Sequence, residues 1–217
     1  MGDRAAKGAL FDQFARVSKA MASGKRLELL DLLAQGERTV ESLARASELG
    51  LTTASSHLQT LKGANLVSTR RDGTKIYYRL AGVDVARLLA AVRVVASSHL
   101  PDVQAAAAAY LGPETEEVSR AELLERIGSG RVTVVDVRPP EEYAAGHIPA
   151  AISIPLDELA ERLAELPNDQ DVVAYCRGAY CVLAHEAVRL LTDHGRSAVR
   201  LTDGMLEWRL ADLPVAT

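Results

Sequence analysis

The hydrophobic period changes once along this chain of 217 residues, and that change restricts the fold more than any single motif does. Before residue 112, apolar residues recur at helical spacing: Leu10, Phe14, Val17 and Met21, then Leu27, Leu30 and Leu33. Further on, the apolar runs are short and β-branched: Val132-Thr133-Val134-Val135-Asp136-Val137, Asp171-Val172-Val173-Ala174-Tyr175, and Ala198–Leu201. Helical stretches at Leu156–Leu166 and Val182–His194 lie between them. Alternating strands and helices predict an α/β layer on a parallel sheet. Two domains are therefore expected, which the length allows at roughly 150 residues per domain. The junction is Gly112-Pro113-Glu114-Thr115-Glu116-Glu117, a helix stop followed by an acidic, non-periodic stretch. Just beyond it, Ser119 and Glu122 form a capping-box pattern that opens a helix around Arg120–Ile127. The predicted organisation is a mainly α domain at 1–112, a linker at 113–118 and an α/β domain at 119–217.

Charge follows the same division. Residues 1–112 hold 15 Lys and Arg against 10 Asp and Glu, whereas residues 113–217 hold 10 against 19. A basic half beside an acidic one suits two different partners, the basic half facing a polyanion. No apolar run approaches the roughly 18 residues that span a bilayer, and no apolar signal segment follows Met1. With Cys176 and Cys181 as its only two cysteines, the chain carries no disulfide framework. A cytoplasmic location without membrane contact is the expectation.

In the first half, Thr39 can cap a short helix carrying Val40, Leu43 and Ala44. Glu48-Leu49-Gly50-Leu51 then turns the chain, with Gly50 at the corner and Thr52 opening the next helix. Two short helices joined in this way form a helix-turn-helix unit. Leu66–Arg70 and Lys75–Leu80 follow as β-prone runs around Asp72-Gly73, a hairpin signal and hence a wing. A long helix follows with Val85, Leu88, Leu89, Val92 and Val95 on one side, and Pro101 kinks it or starts another. On the second helix of the pair, Ala54, Leu58 and Leu61 make the buried stripe. Thr52, Ser56, Gln59 and Gly63 point away from it, with Thr53 and Thr60 at its margin. Short polar side chains and a glutamine in that position can bond to base edges in a major groove. Lys62 with Arg70, Arg71 and Lys75 on the wing are placed for phosphates. A solvated face is the competing reading for any one of them.

Ser55-Ser56-His57-Leu58-Gln59-Thr60-Leu61-Lys62-Gly63-Ala64-Asn65-Leu66-Val67, with the wing, resembles the recognition helix of the ArsR-type winged helix-turn-helix regulators. The likeness covers roughly residues 10–100. It implies a homodimer joined through its first and last helices, a palindromic double-stranded operator, and repression released by a small inducer. The candidate DNA-binding residues are Thr52, Thr53, Ser55, Ser56, Gln59, Thr60, Lys62, Arg70, Arg71 and Lys75. Many members sense metals through Cys or His clusters in this domain. Here residues 1–112 contain no cysteine, and His57 and His99 stand apart, so no metal site is expected.

In the second half, Cys176 stands directly after a strand and before a helix, where α/β sheets carry reactive groups. Backbone N–H groups of Arg177-Gly178-Ala179-Tyr180-Cys181 can cradle an anion, the following helix adds its positive end, and Gly178 permits the tight backbone. With Arg177 adjacent, the setting is expected to favour the Cys176 thiolate and make it nucleophilic. For Cys181 simple inward packing weighs equally with a chemical role.

Asp136-Val137-Arg138-Pro139-Pro140-Glu141-Glu142-Tyr143, then Gly146-His147-Ile148-Pro149-Ala150-Ala151, then Cys176-Arg177-Gly178 resemble the rhodanese domain. Asp203-Gly204-Met205-Leu206-Glu207-Trp208 and Leu213-Pro214-Val215 extend the likeness. It implies a persulfide on Cys176, a small sulfur donor (polysulfide, persulfide or thiosulfate) and no further cofactor. Residues 176–181 are then the candidate catalytic loop: Cys176, Arg177, Gly178, Ala179, Tyr180 and Cys181. Asp136, Arg138 and His147 fall in matching motifs with a structural role. Cys181 occupies the place of a usual second arginine, which disfavours thiosulfate and favours two-thiol chemistry. Three readings follow: a regulator whose rhodanese domain senses or transfers reactive sulfur, a sulfurtransferase whose helix-turn-helix serves dimerisation or localisation, and a phosphatase or arsenate reductase. The last needs an arginine six positions after the cysteine, and residue 182 is Val.

Overall fold

The computed structural model describes residues 3–217. By packing, the chain divides into two compact units between Leu89 and Ala90. The division falls within a helix rather than at the predicted linker.

The first unit contains α1 (Arg4–Met21), α2 (Gly24–Gln35), β1 (Arg38–Thr39), α3 (Val40–Ala46), α4 (Leu51–Gly63), β2 (Val67–Asp72) and β3 (Lys75–Leu80). Asp3 caps α1 by accepting from Ala5 N–H, and Thr39 caps α3 by accepting from Ser42 N–H. Helix α4 starts at Leu51 with Gly50 as its cap, one residue before the predicted Thr52. The left-handed turn residue ahead of it is Glu48, at φ 52°, and not Gly50, whose φ is −63°. Leu29, Leu30, Leu43, Leu58 and Leu61 are fully buried and make the core. Strands β2 and β3 pair antiparallel from Val67↔Leu80 to Asp72↔Lys75, so Gly73 and Thr74 form a two-residue loop. Gly73 takes the positive φ that such a hairpin requires. Strand β1, too short to show a period, pairs with the other edge of β3.

Helix α5 (Val83–His99) is continuous across the division, and α6 (Pro101–Leu111) begins with Pro101 at its first position. The second unit then runs β4 (Glu117–Val118), α7 (Arg120–Gly128), β5 (Val132–Asp136), α8 (Pro140–Ala144), β6 (Ile152–Ser153), β7 (Asp171–Tyr175), α9 (Val182–Asp193), β8 (Ala198–Leu201) and α10 (Met205–Leu210). This unit starts ahead of the predicted linker because α6 packs on α9. Part of that linker is itself structured, since Glu117 and Val118 pair with Arg200 and Leu201. Ser119 caps α7, accepting from Glu122 N–H.

The sheet order is β4-β8-β7-β5-β6, with every pairing parallel. Alternation along β7 separates its two faces. Val172 and Ala174 join the core under α9, while Val173 and Tyr175 join the core that holds Leu123, Met205 and Trp208. The predicted helix at Leu156–Leu166 is instead two 3-10 turns, Leu156–Glu158 and Leu163–Glu165. Pro167 forces Leu166 out of the helical region, to ψ 132°, while Leu159 and Leu166 still reach the core. Among the described residues, no helix is long and apolar enough to cross a membrane.

Candidate functional site

Two surfaces carry the candidate residues, one in each unit. In the first, burial of Ala54, Leu58 and Leu61 fixes the rotation of α4 and leaves Thr52, Thr53, Ser56, Gln59, Thr60 and Lys62 exposed, with Ser55 and His57 half-buried. The exposed set is not loose. Gln59 donates its amide to the hydroxyl of buried Tyr78 at 3.0 Å, Lys62 donates to Thr69 Oγ1 at 3.1 Å, and Thr60 donates to the Ser56 carbonyl at 3.1 Å. The helix is thereby tied to the wing.

On the wing, Arg70 differs from expectation. Its guanidinium donates to Glu37 at 2.5 Å and to Asp72 at 3.2 Å, and lies 4.8 Å over the Tyr77 ring. Arg70 pushes the Glu37 carboxyl below its usual range. A phosphate would have to displace these carboxylates. Arg71 and Lys75 are exposed, Arg71 donating to the Gly73 carbonyl at 3.0 Å. Arg79, passed over in the sequence, is also exposed and donates to Ser68 Oγ at 3.1 Å. Its place opposite Ser68 in the hairpin register was the signal that could have found it.

The second surface lies at the carboxyl end of β7. The chain leaves β5 toward β6 on one side and returns as β7 on the other. Such a reversal opens a crevice outside the strand ends. Cys176 continues the β7 alternation onto the α9 face and is only 1% exposed. Cys181 caps α9, a helix long enough to present a positive end. Both cysteines are free thiols. The Cys176 sulfur lies 3.4 Å from the Cys181 carbonyl oxygen.

Here the structure reverses the expected charge state. Burial pushes the Cys176 thiol up, the Cys181 side chain adds to this, and backbone N–H groups of Ala184 and Gly178 oppose only part of it. The Cys176 side chain lowers Cys181, and Arg177 lowers it further. Of the two thiols, Cys181 is therefore the more acidic. Arg177 does not activate Cys176, because its guanidinium is held by Glu142 at 2.7 and 3.0 Å. Glu142 is itself buried, on α8.

The glycines act through space. Gly178 is not at positive φ, and a Cβ there would lie 3.1 Å from a Glu207 carboxylate oxygen. Gly204 is tighter. Its Cβ would fall inside the Gly178 backbone and 2.5 Å from the Arg177 carbonyl carbon. That close approach lets Met205 and Leu206 donate N–H bonds to the carbonyls of Cys176 and Arg177, at 2.9 and 3.1 Å. Ala179 and Tyr180 complete the turn, which the Cys181 N–H closes onto the Gly178 carbonyl at 3.0 Å.

Asp136 and Arg138 are fully buried and paired at 2.5 Å, with the Tyr175 hydroxyl donating to Asp136 at 2.6 Å. Arg138 also donates to the Gly146 carbonyl at 2.9 Å. His147 stacks on Tyr143 with ring centroids 3.7 Å apart. These groups brace the strand ends rather than touch the cysteines.

Residues 23–69 match the family model of bacterial regulatory proteins of the arsR family, and residues 119–211 match that of the rhodanese-like domain. The HTH-type transcriptional regulator Rv0324 of Mycobacterium tuberculosis is 64% identical over 96% of this chain and 92% of its own length. A sulfurtransferase of Allochromatium vinosum is 34% identical over 46% of this chain and 92% of its own. Among solved structures, the homodimeric winged helix-turn-helix domain of an ArsR-family protein from Mycobacterium bovis is 60% identical, covering 47% of this chain and 93% of that one, with a TM-score of 0.43.

Proposed function

The chain belongs to the ArsR family of HTH-type transcriptional regulators and carries a rhodanese-like domain behind the DNA-binding one; from that premise we propose that operator binding responds to reactive sulfur through Cys176. The observation that carries this reading is a pair of free cysteines in one tight loop, Cys176 at a strand end with its sulfur 3.4 Å from the carbonyl oxygen of Cys181, which stands at a helix cap. As the Cys176 sulfur attacks the outer sulfur of a persulfide R–S–SH, its proton passes to the Cys181 thiolate and R–S⁻ departs. Cys176 then carries –S–SH and Cys181 is a thiol. Once deprotonated, Cys181 attacks the inner Cys176 sulfur and expels HS⁻, leaving a disulfide. Two thiols are oxidised, one sulfane sulfur is reduced to sulfide, and the loop changes shape and charge.

The DNA-binding form is a symmetric homodimer on a palindromic site. Leu10, Phe11 and Phe14 on α1 and Val92, Val94 and Val95 on α5 are exposed, an apolar display that a second copy would cover. Thr52, Thr53, Ser55, Ser56, Gln59 and Thr60 read the groove, and Lys62, Arg70, Arg71 and Lys75 take phosphates.

The test is intact mass and operator affinity on the same persulfide-treated samples. Cys176→Ser should lose both the added sulfur and the change in affinity, since a serine hydroxyl stays protonated at neutral pH. Cys181→Ala should load sulfur on Cys176 and retain it, because no second thiol is left to expel it as sulfide. Full sulfur transfer by Cys176→Ser would refute the assignment. The likeness to the sulfurtransferase supports a second reading, an enzyme for which the first domain provides dimerisation. Rapid turnover without specific DNA binding would select it.

A further inference from the structure

The six-residue loop places Cys181 where a second arginine would otherwise stand, yet a cation does reach the loop from elsewhere in the same compact unit. Arg93, half-buried in the last two turns of α5, holds Nη1 3.4 Å from the point where a Gly178 Cβ would lie. The Glu207 carboxylate oxygens lie 3.1 and 3.3 Å from the same point. The Gly178 α-carbon, two residues beyond Cys176, is therefore flanked by one charge of each sign. Glu207 is tied to the loop independently, accepting from Gly204 N–H at 3.0 Å where α10 begins.

We propose that Arg93 is the charge that detects sulfur on Cys176, poised against Glu207 and Gly178 in the unmodified protein and drawn to the terminal sulfur once the loop is loaded. The inference rests on the reading of Cys176 as the sulfur-accepting residue. In the loading step Cys176–SH and R–S–SH give Cys176–S–SH and R–SH. The side chain gains one S–S bond, about 2 Å, at a position only 1% exposed, so the loop must yield. A persulfide is also a stronger acid than its parent thiol, so loading brings negative charge into a poorly solvated loop. Charges there interact far more strongly than in water. Arg177 is held by Glu142, and Arg120 pairs with Asp203 at 3.7 Å and donates to the Glu207 carbonyl at 3.0 Å.

Arg93 is also the loop's contact on α5, and α5 is the continuous helix whose earlier residues Val85, Ala86 and Leu89 are buried. A rigid element biased at one end is a physical carrier of coupling. A shift of Arg93 thus transmits the sulfur state along α5 toward the residues preceding the division at Leu89.

The experiment uses the full chain in a Cys181→Ala background, where the persulfide cannot resolve to a disulfide, with position 93 as wild type, Arg93→Gln and Arg93→Lys, each treated with glutathione persulfide. Mass spectrometry reads loading. The pH profile of alkylation of the loaded sulfur reads its local charge environment, and operator affinity is measured before and after. In wild type the affinity should change by about 5–150-fold. In Arg93→Gln that change should fall below about twofold, and the alkylation profile should move to higher pH. Arg93→Lys, which keeps the charge, should hold the profile near wild type. A wild-type profile and a wild-type affinity change in Arg93→Gln would overturn the inference while leaving the Cys176 reading intact. Equal shifts in the Gln and Lys variants would also overturn it, because size rather than charge would then matter. Absence of added sulfur on wild type would refute the Cys176 reading and this inference with it.

Discussion

The face of α4 and the loop after β7 both present polar chemistry, but they are built in opposite ways. On α4, three buried side chains one helical turn apart orient the helix, and the functional face is what remains exposed. In the loop, the reactive sulfur is buried, and its surroundings depend on residues 34 positions before it and 28 after it in sequence. Glu142 claims Arg177, and Gly204 admits the loop backbone. The first arrangement is local and tolerant of single changes. The second is long-range and brittle.

The sharpest way to break that contrast is Arg138→Ala. Removing one member of a buried ion pair leaves Asp136 uncompensated beside the Tyr175 hydroxyl, at a cost of about 3–5 kcal/mol. Thermal unfolding should show a large loss of stability, and a loss under about 1 kcal/mol would mean that the site rehydrates. Next is Gly204→Ala, which overpacks the loop by about 1–3 kcal/mol and should slow sulfur loading of Cys176 severalfold. Unchanged loading kinetics would show that the loop moves aside without consequence.

The recognition face should respond in another manner. Gln59→Ala should cost only about 1 kcal/mol of stability through its lost bond to Tyr78 but relax base preference by about 1–3 kcal/mol of discrimination, read by competition among operator variants. Arg70→Ala should weaken binding to all sequences and reduce the salt slope by about 1. Because Arg70 is held by Glu37, Glu37→Gln should strengthen binding, and weaker binding in that variant would assign Arg70 a purely structural part.

The smallest effect concerns pH. His185 is buried on α9, its pKa pulled down to about 4 by burial and then by Arg200 and Arg189. Between pH 6.5 and 4 the unfolded chain binds a proton that the folded one does not, so stability falls as pH drops through that window. His185→Gln should flatten the dependence of the melting temperature between pH 7 and 4.5, and an unchanged slope would show that other groups set it.

Much of the architecture was legible because periods and caps are local. The hairpin at Gly73, the caps at Thr39 and Ser119, the strands β5, β7 and β8 and the stripe Ala54, Leu58, Leu61 each depend on neighbours within a few residues. The two-residue strands β1, β4 and β6 were not legible, since so few residues show no period and are held by partners distant in sequence. The helix expected at Leu156–Leu166 failed because its apolar spacing was right while Pro167 and the core together broke the backbone.

In the candidate sites the division is the same. The sequence by itself determined which residues stand in the loop and on α4, because position in a motif and rotation about a helix are set by chain order. Only the tertiary structure decided that Arg177 turns to Glu142, that Arg70 turns to Glu37, and that Cys176 keeps its proton while Cys181 is favoured to lose its own. Charge state depends on burial and on the nearest opposite charge, and neither is a property of neighbours in the chain.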